Sequence, residues 1–222
     1  MELFTDRVDA GRRLAGILGQ FREQDVVVLG LPRGGVPVAA EVAQALQAPL
    51  DLIIVRKLGL PFDPEVAMGA IGEEGVRVLN PRVLALAEVT EAQISAVERR
   101  ERAVLDARVA EWRGHRARLD LTGRTALIVD DGVATGSTAR AACRVARLLG
   151  AKRVVLAVPV IAARAETELT QPAGETADEV IAVAAPFGFA AVGQYYRQFD
   201  AADDAEVARL LARGPAPAAD TD

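Results

Sequence analysis

The sequence predicts an α/β fold whose central parallel sheet is covered by helices on both faces, and three observations predict it. Short, unbroken runs of β-branched and aliphatic residues recur along the chain, helical stretches separate them, and glycine-rich turns twice join a run to the helix that follows. Strands buried on both faces read as continuous apolar runs, and a helix between strands is the crossover that a parallel pair requires.

Taken in order, Val26-Val27-Val28-Leu29 is the first strand and leads into a glycine-rich turn. Val36 to Leu46 reads as a helix and Leu50 to Val55 as the second strand. The pattern returns at Ala126 to Val129, a Gly/Thr/Ser turn, and a helix from about Thr138 to Leu149. Further strands follow at Val154 to Val158 and Val180 to Ala184, making about five core strands. Residues 58–80 interrupt this order: Val66 to Ile71 and Val76 to Leu79 flank Glu73-Glu74-Gly75 and predict a β-hairpin with its turn there. Residues 90–116 read as one long helix. Thr90 and Gln93 form a capping box, Ile94, Val97, Val104, Leu105, Val109 and Trp112 make an apolar stripe, and the Glu/Arg-rich face is solvated. Ala205 to Leu211 is a final helix, and 214–222 lacks the apolar bulk for fixed structure. The organisation expected is one domain over 1–213. Within it, 58–118 is an inserted flap and 185–213 is a small hood with the carboxyl helix.

Composition sets limits on the chemistry. The 222 residues are 51% hydrophobic and 26% charged, enough to bury a core without staples. One cysteine, Cys143, excludes an intramolecular disulfide framework and any multi-cysteine zinc site, and one histidine, His115, excludes sites needing two. Cys143, in an alanine-rich stretch, is read as a small core residue, Trp112 as packing and His115 as surface. A net charge of -5 argues against a strongly basic nucleic-acid binder. No segment has the roughly 18 unbroken apolar residues of a membrane span. The amino terminus shows no secretory layout, so a cytoplasmic protein is expected.

The strongest chemical signal is Ala126-Leu127-Ile128-Val129-Asp130-Asp131-Gly132-Val133-Ala134-Thr135-Gly136-Ser137-Thr138. A buried strand delivers two carboxylates to its carboxyl end, where open α/β sheets bind ligands. The loop of small and hydroxyl residues after them opens a helix, and the free N–H groups and dipole of a helix start suit a phosphate monoester. Adjacent carboxylates suit the vicinal hydroxyls of a ribose and a magnesium ion. A Walker A loop requires a lysine that is missing here, and neither glycine loop supplies the dinucleotide pattern Gly-x-Gly-x-x-Gly. The bland alternative, that the two acids only cap a helix, leaves two carboxylates at a buried strand end with no ligand.

This segment resembles the phosphoribosyl-diphosphate (PRPP) signature of the type I phosphoribosyltransferases. The resemblance implies that family's fold, with Asp130 and Asp131 on the ribose hydroxyls and Gly132, Ala134, Thr135, Gly136, Ser137 and Thr138 at the 5-phosphate. Any metal contact of Asp130 and Asp131 is expected to be indirect, through PRPP or water. The earlier turn, with Arg33, Gly34 and Gly35, is similar to the family's pyrophosphate loop, and a cis peptide is expected near Leu31 to Arg33. Arg56-Lys57 before Leu58-Gly59-Leu60-Pro61 is similar to a basic pair of adenine-type members. It is expected at the end of the second strand, facing the pyrophosphate, or else is a solvated pair. Glu73 sits where such members carry a flap glutamate, which implies a catalytic role beside Lys57 and Arg56; the alternative is an acidic turn kept for solubility. Arg99, Arg100 and Arg102 either reach the pyrophosphate or lie on a solvated face.

Five of the nine aromatic residues fall between Phe187 and Phe199. Phe187 and Phe189 are read as the floor for a flat base, or this segment is a satellite core docking the carboxyl helix, or a dimer interface. The reaction implied is transfer of 5-phosphoribosyl from PRPP to a nitrogen nucleophile, a nucleobase in a salvage reaction, with magnesium bound alongside PRPP. The partners expected are PRPP, a small nitrogenous acceptor and a second copy in a homodimer, without nucleic acid or membrane. A non-catalytic PRPP-binding regulator and a nucleotide-binding hydrolase or phosphorylase stay open.

Overall fold

The computed structural model describes residues 3–114, 116–171 and 176–213. The expectations for His115 and for 214–222 lie outside the described residues. The chain runs through α1 (Arg7–Ile17), β1 (Val26–Gly30), α2 (Gly35–Leu46), β2 (Leu50–Leu52), β3 (Val55–Gly59), β4 (Ala67–Gly72), β5 (Arg77–Leu79), α3 (Pro81–Ala87) and α4 (Glu91–Arg113). It continues through β6 (Thr125–Val129), α5 (Ser137–Leu148), β7 (Arg153–Val160), α6 (Ala163–Leu169), β8 (Glu179–Ala184) and α7 (Asp204–Arg213). No helix among the described residues is long and apolar enough to cross a membrane.

Five strands pair in parallel in the order β2-β1-β6-β7-β8, as the unbroken apolar runs predicted. Successive strand residues face opposite sides, and both sides are apolar. Val26 and Val28, Leu127 and Val129, Val155 and Ala157 join the core beneath α1, α2, α4 and α7. Val27 and Leu29, Ala126 and Ile128, Val154 and Leu156 join a second core beneath α5 and α6. Cys143 lies fully buried in that second core, as expected of a small core residue.

Three expectations need correction. The strand read as Leu50 to Val55 is two strands. β2 ends at Leu52 opposite Gly30, where β1 itself ends, so the chain runs out of backbone partners in the main sheet. Val55 pairs instead with Gly72, in an antiparallel sheet of order β3-β4-β5 that contains the predicted hairpin.

The long helix packs on the core, and its Glu/Arg-rich face is not wholly solvated, since Glu101 is buried. Its capping box forms as read, with the Gln93 N–H donating to Thr90 Oγ1 and the Thr90 N–H to Gln93 Oε1. Ile94, Val97, Leu105 and Trp112 belong to the main core. Each large apolar side chain so buried contributes about 1.5–3 kcal/mol against solvent. Val104 alone of the predicted stripe faces out, 36% exposed.

The hood aromatics do form a satellite core, but on a different element. Tyr195 and Tyr196 pack with Phe4, Ala10 and Val160, against the amino-terminal segment. The carboxyl helix instead places Val207 and Leu211 in the main core.

Candidate functional site

Counted in chain order, the five sheet strands lie as 2-1-3-4-5, so the connections leave β1 and β6 in opposite directions. A crevice opens beyond the carboxyl ends of two such strands. Both glycine-rich loops, 30–35 after β1 and 130–136 after β6, lie at this point and touch: the Leu31 N–H donates to Val129 O at 2.9 Å. A Cβ on Gly34 would stand 2.0 Å from Asp131 Oδ2, and one on Gly35 would stand 2.6 Å from Val129 O. Only glycine lets the two loops approach this closely. The peptide Pro32-Arg33 is cis, within the stretch where one was expected.

Asp130 and Asp131 are half-buried side by side. Asp130 Oδ1 accepts the Asp131 N–H at 2.9 Å. Asp131 Oδ2 accepts from Nε of Arg7 at 2.9 Å, with Nη2 of the same guanidinium also 2.9 Å away, and the Asp131 carbonyl accepts from the Tyr196 hydroxyl at 2.5 Å. Burial, and the charge of Asp131 beside it, hold the Asp130 carboxyl well above the usual range. Burial raises Asp131 as well, against the opposing pull of Arg7. Two close carboxylates titrate as a pair rather than singly. Burial also pushes the Tyr196 hydroxyl up, so that it stays a donor.

Beyond the acids the loop turns into α5. Gly136 takes the left-handed conformation at φ 74°, and no side chain caps the helix. The first N–H groups of an uncapped helix have no acceptor within it and point outward. Ala134, Thr135 and Thr138 are exposed around them, and Thr135 Oγ1 lies 3.4 Å from Ser137 Oγ. Gly132 is pressed against the hood, its missing Cβ falling 2.6 Å from Val192 Cγ1. The arrangement offers acceptors for a diol and donors for a phosphate on one short loop.

The cations predicted for the pyrophosphate side are placed differently. Arg33, in the loop after β1, is 3.5 Å from Asp204. Asp204 also accepts the Trp112 indole N–H at 2.6 Å, and that bond first, then Arg33 and Arg108, hold its carboxyl below the usual range. Arg56 and Lys57 do not end a core strand facing one crevice. They are successive residues of β3, opposite Ile71 and Ala70, and so point to opposite faces. Arg56 pairs with Glu101 of α4 at 2.6 Å, and Lys57 with Glu65 at 3.6 Å. Burial works against the charge of Glu101, but Arg56 and Arg100 more than offset it and hold the carboxyl low.

Glu73 is likewise not a free hairpin tip. Its carboxylate, 8% exposed, takes the Nε and Nη2 donors of Arg113; Nη2 also donates to Leu52 O at 2.9 Å, and Nη1 binds Asp51 Oδ1 at 2.6 Å. Burial opposes the charge of Arg113, and Glu73 with Asp51 outweighs it. Arg102 donates to the carbonyls of Gly72 and Val76 and so braces the hairpin, Arg100 pairs with Glu101, and Arg99 is exposed. Burial pushes the Cys143 thiol up to about 12, which disqualifies it as a nucleophile.

In the hood, Phe187 is 96% exposed, whereas Phe189 packs on Tyr195 with ring centroids 5.1 Å apart. Sequence reading missed Arg7, Tyr196, Asp51, Glu101, Arg113 and Asp204. Each acts through a partner at least 40 positions away. No local pattern marks such a residue.

A family model for the phosphoribosyl transferase domain matches residues 5–189. Two curated proteins of Mycobacterium tuberculosis, "Putative phosphoribosyl transferase Rv0571c" of strain H37Rv and its counterpart MT0597 of strain CDC 1551, are each 54% identical over 213 residues. The match takes in 96% of this chain and 47% of each relative, so the chain spans about half the length of the curated relatives it matches. Among solved structures, TT1426 from Thermus thermophilus superposes with a TM-score of 0.86 at 43% identity, covering 95% of this chain and 98% of that one. The chain belongs to the phosphoribosyl transferase domain family.

Proposed function

We propose that this domain binds PRPP together with magnesium and transfers its 5-phosphoribosyl group to a nitrogen nucleophile, a nucleobase by resemblance, releasing pyrophosphate. One observation carries the reading: a paired carboxylate that accepts hydrogen bonds is followed at once by an uncapped helix start, and both lie at the switch point of the sheet. A ribose 5-phosphate carries the complementary groups, a diol and a phosphate, on one small ring.

In this reading the N–H groups opening α5 and the hydroxyls of Thr135, Ser137 and Thr138 hold the 5-phosphate, with Gly132, Ala134 and Gly136 keeping the loop backbone close. Asp130 and Asp131 accept from the ribose hydroxyls, and their charge faces the positive charge that grows on the ribose as the leaving group departs. Arg33, with the backbone of Gly34 and Gly35, meets the diphosphate, and Arg56, from one face of β3, joins it by giving up Glu101; Lys57 points to the other face. Phe187, exposed above the crevice end of the sheet, offers a surface for the acceptor. Among the described residues no three carboxylate, histidine or cysteine side chains converge on a metal. The two aspartates are nonetheless hard oxygen donors that suit magnesium delivered on the ligand. The ion, when bound, neutralises diphosphate charge.

A second reading, a PRPP-binding regulator without turnover, is favoured by the pairing of Glu73, which removes the acid–base group that the resemblance supplied. Incubation with PRPP, magnesium and a panel of bases, followed by pyrophosphate release, separates the two. Base-dependent release is the expected result. PRPP binding without release establishes the regulator, and failure to bind PRPP overturns both.

A further inference from the structure

Arg7 is the side chain on which the amino-terminal helix, the hood and the acid pair converge. Its Nε donates to Asp131 Oδ2 at 2.9 Å, and its Nη2 lies at the same distance from that oxygen. Its Nη1 donates to the Asp200 carbonyl at 2.5 Å, and its guanidinium lies 4.1 Å over the Phe199 ring. The two segments it joins are laced together by backbone. Leu3 and Phe4 donate to Tyr195 O at 2.8 and 2.9 Å, and Arg197 and Gln198 donate to Phe4 O and Thr5 O, both at 2.9 Å. The side chain is 13% exposed, so Arg7 is spent on these partners and is not a free cation for the diphosphate.

The consequence falls on the two oxygens of Asp131. Oδ2 is held by Arg7 on one side and lies against Gly34 on the other. Among the described residues, no hydrogen bond or ion pair from another residue reaches Oδ1. An aspartate turns about two torsions, and a diol is recognised only where the acceptor stays in place. A charge-assisted bond and a second nitrogen in ion-pair contact, both from one planar guanidinium, restrict that freedom, and the point charge of a lysine does so less well.

We propose that Arg7 is a positioning residue for the ribose site: by occupying Oδ2 of Asp131 it reserves Oδ1 for the ligand hydroxyl, and it makes diol recognition depend on the docked amino-terminal helix. The inference rests on the PRPP reading above, and in it Arg7 acts through Asp131 without touching the ligand.

The test uses the full chain, Arg7→Gln, Arg7→Lys and the control Arg12→Gln. Arg12 pairs with Glu41 from the outer side of α1 and is 70% exposed, so its loss alters the docking of α1 without touching Asp131. Calorimetric titration with two probes reads the diol directly: ribose 5-phosphate, and tetrahydrofurfuryl phosphate, which keeps the ring and phosphate and lacks the hydroxyls. The wild type and Arg12→Gln are expected to prefer ribose 5-phosphate. Arg7→Gln is expected to lose roughly ten- to a hundredfold in affinity for that probe and nothing for the other, so that the preference collapses. Arg7→Lys is expected to recover part of the preference, and it carries the test alone should the melting curve of Arg7→Gln show an unfolded protein. A wild-type preference in the folded Arg7 variants, or an equal loss for both probes, overturns the proposal and leaves the PRPP reading standing. A wild type that binds neither PRPP nor ribose 5-phosphate overturns the PRPP reading itself.

Discussion

The loop at 130–138 and the pyrophosphate side of the crevice carry the same kind of chemistry in opposite states. On the loop, the groups that would meet a ligand are left open: helix N–H groups without a cap, exposed hydroxyls, and carboxylate oxygens with no partner among the described residues. On the other side each charge is already answered by the chain itself, Arg33 by Asp204, Arg56 by Glu101, Lys57 by Glu65 and Glu73 by Arg113. In the proposed reading a phosphate monoester meets a formed cradle, whereas a diphosphate has to displace protein partners. The exposed pairs of Arg33 and Lys57 give way at small cost, since such pairs are worth about 0–1 kcal/mol, whereas Arg56 leaves a buried Glu101 with Arg100 still beside it. The buried Glu73-Arg113-Asp51 cluster does not, because breaking it leaves charge without water.

The contrast is broken first at that cluster. Arg113→Ala strands two buried carboxylates and is expected to cost about 3–5 kcal/mol in urea unfolding. Glu73→Gln is expected to cost about 1–3 kcal/mol while PRPP affinity is retained. An intact stability with lost turnover would instead return Glu73 to a catalytic role.

At the acid pair the opposite pattern is expected. Asp130→Asn with Asp131→Asn should lower PRPP affinity by about a hundredfold or more in a calorimetric titration, from two charge-assisted bonds lost. The same change should stabilise the free protein at pH 7, by something on the order of 1 kcal/mol. Burial lifts both carboxyls, so their favourable share of stability is complete below the ordinary carboxylate range and is lost as pH rises through the raised values. The advantage of the variant should accordingly grow from acid to neutral pH, and PRPP binding by the wild type should weaken as pH falls and the pair takes up a proton.

The smallest effect is expected at Arg56, whose side chain is 44% exposed. Glu101→Gln frees Arg56 and should raise PRPP affinity about two- to fivefold at low salt, with the gain fading as salt is added. An unchanged affinity would mean that Arg56 stays with α4 when ligand binds.

What could be read along the chain was what is written locally. The apolar runs marked four of the five core strands, each short by one to three residues; three of these, β1, β6 and β7, are buried on both faces, and the acid pair and small-residue loop lie within thirteen consecutive residues. The second strand was misread because its apolar run continues past the last partner in the sheet, a limit set by the length of β1 and not by Ile53 or Ile54. The turn at Glu73 was legible, but its burial was not, since Arg113 arrives from 40 positions away.

The α/β class, the order of strand and helix, and the loop of small residues after β6 could all be read along the chain, because those depend on periodicity and backbone freedom. The tertiary structure decided which charges remain open to a ligand. That depends on who stands opposite: Arg7 on Asp131, Glu101 on Arg56, Arg113 on Glu73. Pairing falls off over a few ångströms, and only the folded chain sets distances on that scale between residues so far apart in sequence.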